Sequence, residues 1–265
     1  TSNGQVSPNV TVRFPVDPVM GGAPYHSMSC DGFYGNIPGL VITIPSTAYD
    51  AYGLLRTSAD YNGPVLQMEP KRIYRMKLGS ALPGEPGDAK ALQAIRRAGT
   101  GLPIEDYRVP FGKLARRRAG ADVTLVSWGW ASWQSVAAAD RVATAEGIEA
   151  EVLDLRTLVP FDIEGIITSA QRTGRVLIVQ NDRTFAGFGR EIQGQLIERL
   201  PGISVRLIGQ QNTPAVGQSR VLEDAITLQE SDVEAAIVEI ARSRPQAWLN
   251  NELHWLAHAP GRRKD

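Results

Sequence analysis

The chain has 265 residues, of which 43% are hydrophobic, and its 28 lysine and arginine residues balance 28 aspartate and glutamate residues. A zero net charge argues against a dedicated binder of nucleic acid or of anionic membranes, because such proteins usually carry a basic excess. The apolar content is sufficient for one large or two medium domains.

Three further features bear on the cellular compartment. Cys30 is the single cysteine, which excludes an intrachain disulfide and fits a reducing environment. No apolar run is long enough to span a bilayer, and the first residues lack the pattern of a signal peptide. We therefore expect a cytoplasmic protein that does not engage a membrane.

The first part of the chain predicts a small parallel sheet. Apolar and β-branched runs indicate strands over residues 10–14, where Pro15 would end the strand, and over residues 40–44 and 64–68. Thr47 and Asp50 are placed to cap a helix that reaches about residue 58. About three strands are few for an independent sheet, so it either packs on the second part or is completed by residues outside this chain.

A loop rich in glycine and proline, from Gly21 to Ser29, separates the first two strands and carries His26. Histidine is the side chain best suited to moving protons near neutral pH. With Tyr25 and Ser27 beside it, His26 is the best candidate for ligand binding, and the alternative is a histidine that only supports its own loop. No Gly-x-Ser-x-Gly motif surrounds the serines, so a hydrolase is disfavoured.

From residue 119 onwards, strand and helix signals alternate, which predicts a doubly wound α/β domain. The predicted strands are residues 123–127, 149–155, 175–179 and 204–208. Helices are predicted over residues 132–146, from Asp162 to about 171, over 191–200, and from a capping box at Ser231–Glu234 to about 241. Residues 78–103 are predicted to be a surface excursion with a helix over 89–98, and Arg116–Arg118 a solvated connector.

Other candidate sites have simpler interpretations. His254 and His258 have zinc-ligand spacing but no third ligand, so surface positions on a tail helix are favoured. Gly187-Phe188-Gly189 resembles a phosphate cradle but lacks the third glycine of the dinucleotide fingerprint, so a turn into a helix N-terminus is favoured. Glu223 and Asp224 are interpreted as surface or cap residues.

A series of motifs follows in order along the chain to about residue 241. They include Arg13-Phe14-Pro15, Gly21-Gly22, His26-Ser27, Ile37-Pro38-Gly39-Leu40, Pro45-Ser46-Thr47, Gly53-Leu54-Leu55, Glu69-Pro70-Lys71-Arg72, Asp154-Leu155-Arg156-Thr157-Leu158-Val159-Pro160, Gly187-Phe188-Gly189 and Leu222-Glu223-Asp224. Together they resemble the beta subunit of the thiamin-diphosphate-dependent first component of 2-oxoacid dehydrogenase complexes.

The resemblance implies an α/β fold with a partial pyrimidine-binding domain and linker in residues 1–118, a doubly wound transketolase C-terminal-type domain in 119–244, and a tail in 245–265. Thiamin diphosphate would lie between this chain and an alpha-type subunit, which would hold the diphosphate and its magnesium. His26 would face the thiazolium and the bound acyl group, with Tyr25 and Ser27 nearby. The implied partners also include a second copy of this chain and a lipoyl acyltransferase, and Asp60 and Asn62 lie near a potassium position.

Departures from the family pattern leave alternatives open. No glutamate precedes His26, so we expect the glutamate that activates the cofactor to come from a missing N-terminal segment or from another chain. Met28-Ser29-Cys30-Asp31 replaces the usual Gln-Ser-Pro-Glu, and Asn181-Asp182-Arg183-Thr184 replaces Asp-Glu-Ala-Pro. A split transketolase-type ketol transferase and a non-catalytic scaffold subunit are the alternative functions.

Overall fold

The structure is a computed structural model that describes residues 5–17, 22–74, 76, 82, 108–214 and 216–243. The helix predicted over residues 89–98 and the tail from residue 245, with His254 and His258, lie outside the described residues. Two sheets organise the described part of the chain, in agreement with the predicted α/β class.

The first sheet has the strand order β1-β3-β2-β7. Its strands are β1 (Val10–Val16), β2 (Val41–Thr43), β3 (Pro64–Pro70) and β7 (Thr157–Val159). The strands β1 and β2 run parallel to β3, whereas β7 runs antiparallel to β2. The fourth strand therefore comes from the second half of the chain and adds to the three predicted strands.

The predicted end of β1 is wrong by two residues, since the strand does not stop before Pro15 but continues to Val16. Within the described residues β1 pairs only with β3, so it is an edge strand. A proline is tolerated there because its missing N–H removes no bond from a second neighbour.

The second sheet has the order β4-β6-β5-β8-β9. Its strands are β4 (Ala115–Arg118), β5 (Val123–Ser127), β6 (Ala150–Asp154), β8 (Arg175–Arg183) and β9 (Ser204–Gln210). Four strands are parallel and β4 is antiparallel to β6. This arrangement is the predicted doubly wound sheet with one additional edge strand.

Eight helices connect these strands in the described residues. They are α1 (Ala23–His26), α2 (Asp31–Gly35), α3 (Ala48–Asp60), α4 (Trp130–Glu146), α5 (Ile163–Thr173), α6 (Gly189–Arg199), α7 (Arg220–Ile226) and α8 (Glu230–Arg242). As predicted, Thr47 Oγ1 caps α3 by accepting from the Asp50 N–H at 3.0 Å. The capping box of α8 is formed by Gln229 and Asp232, not by Ser231 and Glu234, because the helix starts at Glu230.

Two apolar cores cover the two faces of the second sheet. One core packs α4 and α8 against the sheet and includes Leu125 and Ile237. The other packs α5 and α6 on the opposite face, and it continues into Ile42 and Met68 of the first sheet. The two sheets therefore share one core, whereas the domain boundary at residues 118–119 stays a prediction.

The prediction that Arg116–Arg118 is a solvated connector is wrong. The segment is β4, and its central residue Arg117 is 3% exposed. The Arg117 guanidinium bonds both Asp50 of α3 and Asp154 at the end of β6. A run of three arginines does not show this, because the carboxylates that pair with the middle one are distant in the sequence.

In the described part of the chain, no helix combines the length and the apolar character needed to cross a bilayer.

Candidate active site

The carboxyl edge of the first sheet carries the predicted histidine. Val16 at the end of β1 lies opposite Pro70 at the end of β3, so both strands deliver their following loops to one edge. Ligands of parallel α/β sheets bind at this edge. The loop after β1 forms α1, and its last two residues, Tyr25 and His26, are both exposed.

The backbone of His26 is held on both sides. Its N–H donates to the Gly22 carbonyl at 3.2 Å, and its carbonyl accepts from Lys71 Nζ. The imidazole forms no hydrogen bond or ion pair with the described residues. A fixed main chain with an open ring is suited to receive a ligand from outside this chain.

Ser27 does not share this exposed position. Its side chain is fully buried, and its Oγ has no partner among the described residues. A Cβ atom built on Gly22 would lie 2.8 Å from that Oγ, so the hydroxyl points into its own loop. The structure thus places Tyr25 and His26 on the surface and Ser27 beneath them.

A pair of buried carboxylates ties the end of this loop to the second sheet. Trp128 Nε1 donates to Asp31 Oδ2 at 2.7 Å, and Asp182 Oδ2 accepts from the Gly32 N–H at 3.5 Å. Burial, and then the charge of Asp182, raise the pKa of Asp31 well above its ordinary value. These side chains fall in two separate departures from the family motifs, and their joint position could not be inferred from sequence.

A second charged cluster lies below His26 and was also missed. Asp17 follows β1, Lys71 and Arg72 follow β3, and Glu223 comes from α7. Asp17 has a positive φ of 96° and is 3% exposed. Burial raises the pKa of Asp17 to about 7, opposed by the nearby charges of Arg72 and Lys71.

The surface interpretation of Glu223 is wrong, whereas that of Asp224 is supported. Glu223 is buried, and its charge acts on both Lys71 and Asp17. Asp224 stays half exposed and pairs with Arg220 one helical turn away at 3.6 Å.

The glycines at 187 and 189 serve packing. A Cβ atom on Gly187 would lie 2.1 Å from the Arg183 carbonyl oxygen, so only glycine permits this close approach. The Gly189 N–H at the start of α6 donates to Gln180 Oε1 at 2.8 Å. The turn interpretation therefore fits better than a phosphate cradle, because the Gln180 side chain already accepts from the N–H that a phosphate would bind.

The proposed potassium ligands have other partners. Asp60 Oδ2 accepts from Arg108 Nε at 2.5 Å, and the Asn62 carbonyl accepts from Ser7 Oγ at 2.9 Å. A guanidinium already neutralises the carboxylate, so the arrangement does not fit a cation cage. Among the described side chains, no group of three or more His, Cys, Asp or Glu residues converges as a metal site.

Four large apolar side chains are exposed on the histidine loop and on elements linked to it. Tyr25 is 88% exposed, and Phe33 of α2 and Phe185 of the β8–α6 loop are also exposed. Phe33 and Phe185 are the sequence neighbours of Gly32 and Ala186, and a Cβ atom built on Gly32 would lie 2.2 Å from the Ala186 carbonyl oxygen. Leu222 of α7 is exposed beside Glu223, whose charge reaches Lys71. Exposed apolar groups around a polar centre are typical of a surface that another molecule covers.

Comparisons with known proteins identify the family. The description "Transketolase, pyrimidine binding domain" matches residues 1–77, and "Transketolase, C-terminal domain" matches residues 112–233. The 2-oxoisovalerate dehydrogenase subunit beta of Bacillus subtilis is 35% identical over 244 residues, which cover 91% of this chain and 68% of that protein. The pyruvate dehydrogenase E1 component subunit beta of Staphylococcus epidermidis (strain ATCC 12228) is 32% identical over 198 residues, covering 75% of this chain and 54% of that protein.

A solved structure, "Split gene transketolase, inactive beta4 tetramer", has the same fold with a TM-score of 0.68 at 22% identity, covering 91% of this chain and 70% of that one. The chain thus spans about two thirds of the Bacillus relative and about half of the Staphylococcus relative. The chain belongs to the transketolase-like family that includes the beta subunits of 2-oxoacid dehydrogenases.

Proposed function

We propose that this chain is a beta-type subunit, or the C-terminal portion of one, of a thiamin-diphosphate-dependent 2-oxoacid dehydrogenase or decarboxylase. It would act with an alpha-type subunit. The relatives named above are beta subunits of dehydrogenases that act on 2-oxoisovalerate or pyruvate. The transketolase neighbour supports the fold only, so ketol transfer is kept as an outcome of the test below.

His26 is the observation that carries the proposal. Its backbone is fixed by Gly22 and Lys71 at the carboxyl edge of the sheet, while its ring faces outwards beside Tyr25. An open imidazole and an aromatic ring on an apolar surface fit the reactive end of thiamin diphosphate at an interface between two chains.

The chain's own residues would guide protons and exclude water. When bound, thiamin diphosphate supplies a nucleophilic carbon and an electron sink for decarboxylation. His26 Nε2 would hold a proton against the oxygen of the bound acyl group, which lowers the cost of charge on that oxygen. Tyr25 would cover one side of the group, and Ser27 would support the loop from below.

The proposal includes two further partners. A second copy of this chain would complete a heteromer, and a lipoyl acyltransferase would receive the acyl group. Potassium at Asp60 and Asn62 stays a prediction, and the pairing of Asp60 with Arg108 argues against it. The lone Cys30 supports the cytoplasm as the compartment.

The test is the activity of the assembled protein. The full chain would be co-expressed with alpha-type candidates, loaded with thiamin diphosphate and magnesium, and assayed for carbon dioxide release from 2-oxoisovalerate and pyruvate. We expect His26→Gln to lower kcat by about 100-fold or more, as for loss of a general acid–base group. The same substitution at His254, which has no role in the proposal, serves as the matched control.

Two results would contradict the proposal. Carbon dioxide release that His26→Gln leaves unchanged would remove the catalytic role of His26. Ketol transfer between sugar phosphates, without 2-oxoacid decarboxylation, would favour the transketolase-type alternative.

A further inference from the structure

We propose that Lys71 is a positioning residue for His26, acting through its hydrogen bond to the His26 backbone carbonyl. This inference rests on the function proposed above and identifies the group that aims the histidine at its substrate.

The strand register brings Lys71 to the histidine. Val16 pairs with Pro70 at the ends of β1 and β3, so Lys71 leaves β3 beside the point where the loop to His26 leaves β1. Lys71 is half-buried, and its Nζ reaches across to the carbonyl of His26, the last residue of α1. Because α1 is only four residues long, its own hydrogen bonds cannot fix the direction of its last residue.

The bond from Lys71 supplies the missing constraint. The His26 N–H is already bonded to Gly22, so the ammonium fixes the second backbone group and leaves the imidazole free. A hydrogen bond from a charged donor is stronger than one between neutral groups. The backbone that carries an exposed histidine ring is therefore held by a side chain that does not touch the ring.

Two acids from different elements act on the ammonium through their charge. Asp17 after β1 and Glu223 on α7 both act on Lys71, and their charges favour its protonated form. Burial opposes them and lowers the pKa of Lys71. Asp17 also faces Arg72, and it retains one carboxylate oxygen without a partner among the described residues. Glu223 belongs to the second half of the chain, so the charge of that half acts on the group that bonds the histidine loop.

The first experiment does not depend on catalysis. Amide hydrogen exchange of the full chain would be measured by mass spectrometry for the parent, Lys71→Met, Lys71→Arg and the matched control Lys113→Met, which removes an exposed ammonium. We expect Lys71→Met to speed exchange in residues 22–31 by about tenfold, the cost of a charge-assisted hydrogen bond. Lys71→Arg, which keeps a cationic donor, should stay near the parent rate, and α4 should not change in any variant.

The second experiment uses the complex assembled with its partner chain. A positioning role predicts that Lys71→Met lowers kcat about tenfold or more with KM for the 2-oxoacid within about twofold. Lys71→Arg should recover most of kcat. If the complex with intact Lys71 shows no 2-oxoacid decarboxylation, the proposed function fails, while the exchange data still decide whether Lys71 holds the loop.

Three results would overturn the inference. The first is unchanged exchange in residues 22–31 of Lys71→Met. The second is an equal acceleration in α4, which would show that Lys71 only supports the fold. The third is a rise in KM with kcat retained, which would show that the ammonium binds the substrate carboxylate directly.

Discussion

Replacing Arg117 with methionine tests the buried ion network that joins the two halves of the chain. Arg117 pairs with Asp154 at 2.8 Å and also bonds Asp50, and all three side chains are almost fully buried. Methionine keeps most of the side-chain volume and removes the charge. The neighbouring Arg116 provides a matched control, because its side chain is 63% exposed and lies 3.7 Å from Glu151.

The expected loss of stability depends on the contacts that Asp50 and Asp154 keep in the variant. Asp50 would keep Arg156 at 3.4 Å, and Asp154 would keep the Ser46 hydroxyl at 2.8 Å. Removing one partner of a buried ion pair costs about 3–5 kcal/mol, and the remaining contacts place Arg117→Met near the lower end. Arg116→Met should cost less than about 1 kcal/mol, because the Arg116 guanidinium is exposed and the buried Glu151 keeps Arg172 at 2.6 Å.

The cost should also depend on pH. Burial and the charge of Asp154 raise the pKa of Asp50, while Arg117 and Arg156 lower it. Without Arg117 the folded pKa of Asp50 rises further. A carboxyl whose pKa is raised on folding contributes stability that is present at low pH and is lost as pH rises through the folded value. The deficit of Arg117→Met should therefore be larger at pH 8 than at pH 5.

Urea unfolding at both pH values measures this effect. The variant Asp50→Asn/Arg117→Met should recover part of the loss, because one of the unpaired charges is removed as well. A loss below about 1 kcal/mol, or a loss equal at both pH values, would refute the assignment of Arg117 as a buried counter-ion.

Two further predictions concern single residues. The pKa of Asp17 is raised on folding from 3.8 to about 7, so its protonated form stabilises the fold at low pH. Asp17→Asn should therefore reduce the decline of the free energy of unfolding between about pH 4 and pH 7 by up to about 4 kcal/mol. Urea unfolding across that range would contradict this if the pH dependence of stability were the same in both proteins. Gly187→Ala should destabilise the fold by about 2 kcal/mol or more, because its Cβ would strike the Arg183 carbonyl. Gly194→Ala in α6, where a Cβ meets nothing within 4 Å, should gain up to about 1 kcal/mol. Equal melting temperatures for the two alanine variants would refute the packing argument.

Local signals were sufficient for much of the fold. The apolar runs of β5 and β8, at residues 123–127 and 176–179, are buried as predicted, and Gly147 ends α4 in the left-handed conformation with φ of 68°. Thr47 caps α3 as its position suggests. Each of these features is decided by residues a few positions apart, so periodicity and capping rules identify them.

Features that depend on distant residues were not predictable. The strand β7 has three residues, too few for a period, and it forms only because β2 offers an edge more than a hundred residues earlier. The candidate site also combines a feature decided locally with one that depends on distant residues. His26 stands out by its residue type, but the contact between Gly32 and Asp182 joins positions 150 residues apart. A charged run such as Arg116–Arg118 also does not show which of its side chains is buried.

The shared strand β7 has a consequence for biosynthesis. During translation, β2 has no partner on its outer side until Thr157–Val159 leaves the ribosome. In this interval Ile42, fully buried in the final structure, belongs to an unfinished sheet. An unpaired apolar edge is a site for association between nascent chains. The first sheet therefore cannot be completed until synthesis has passed β4, β5 and β6 of the second sheet, so the two sheets form in overlapping intervals rather than in succession.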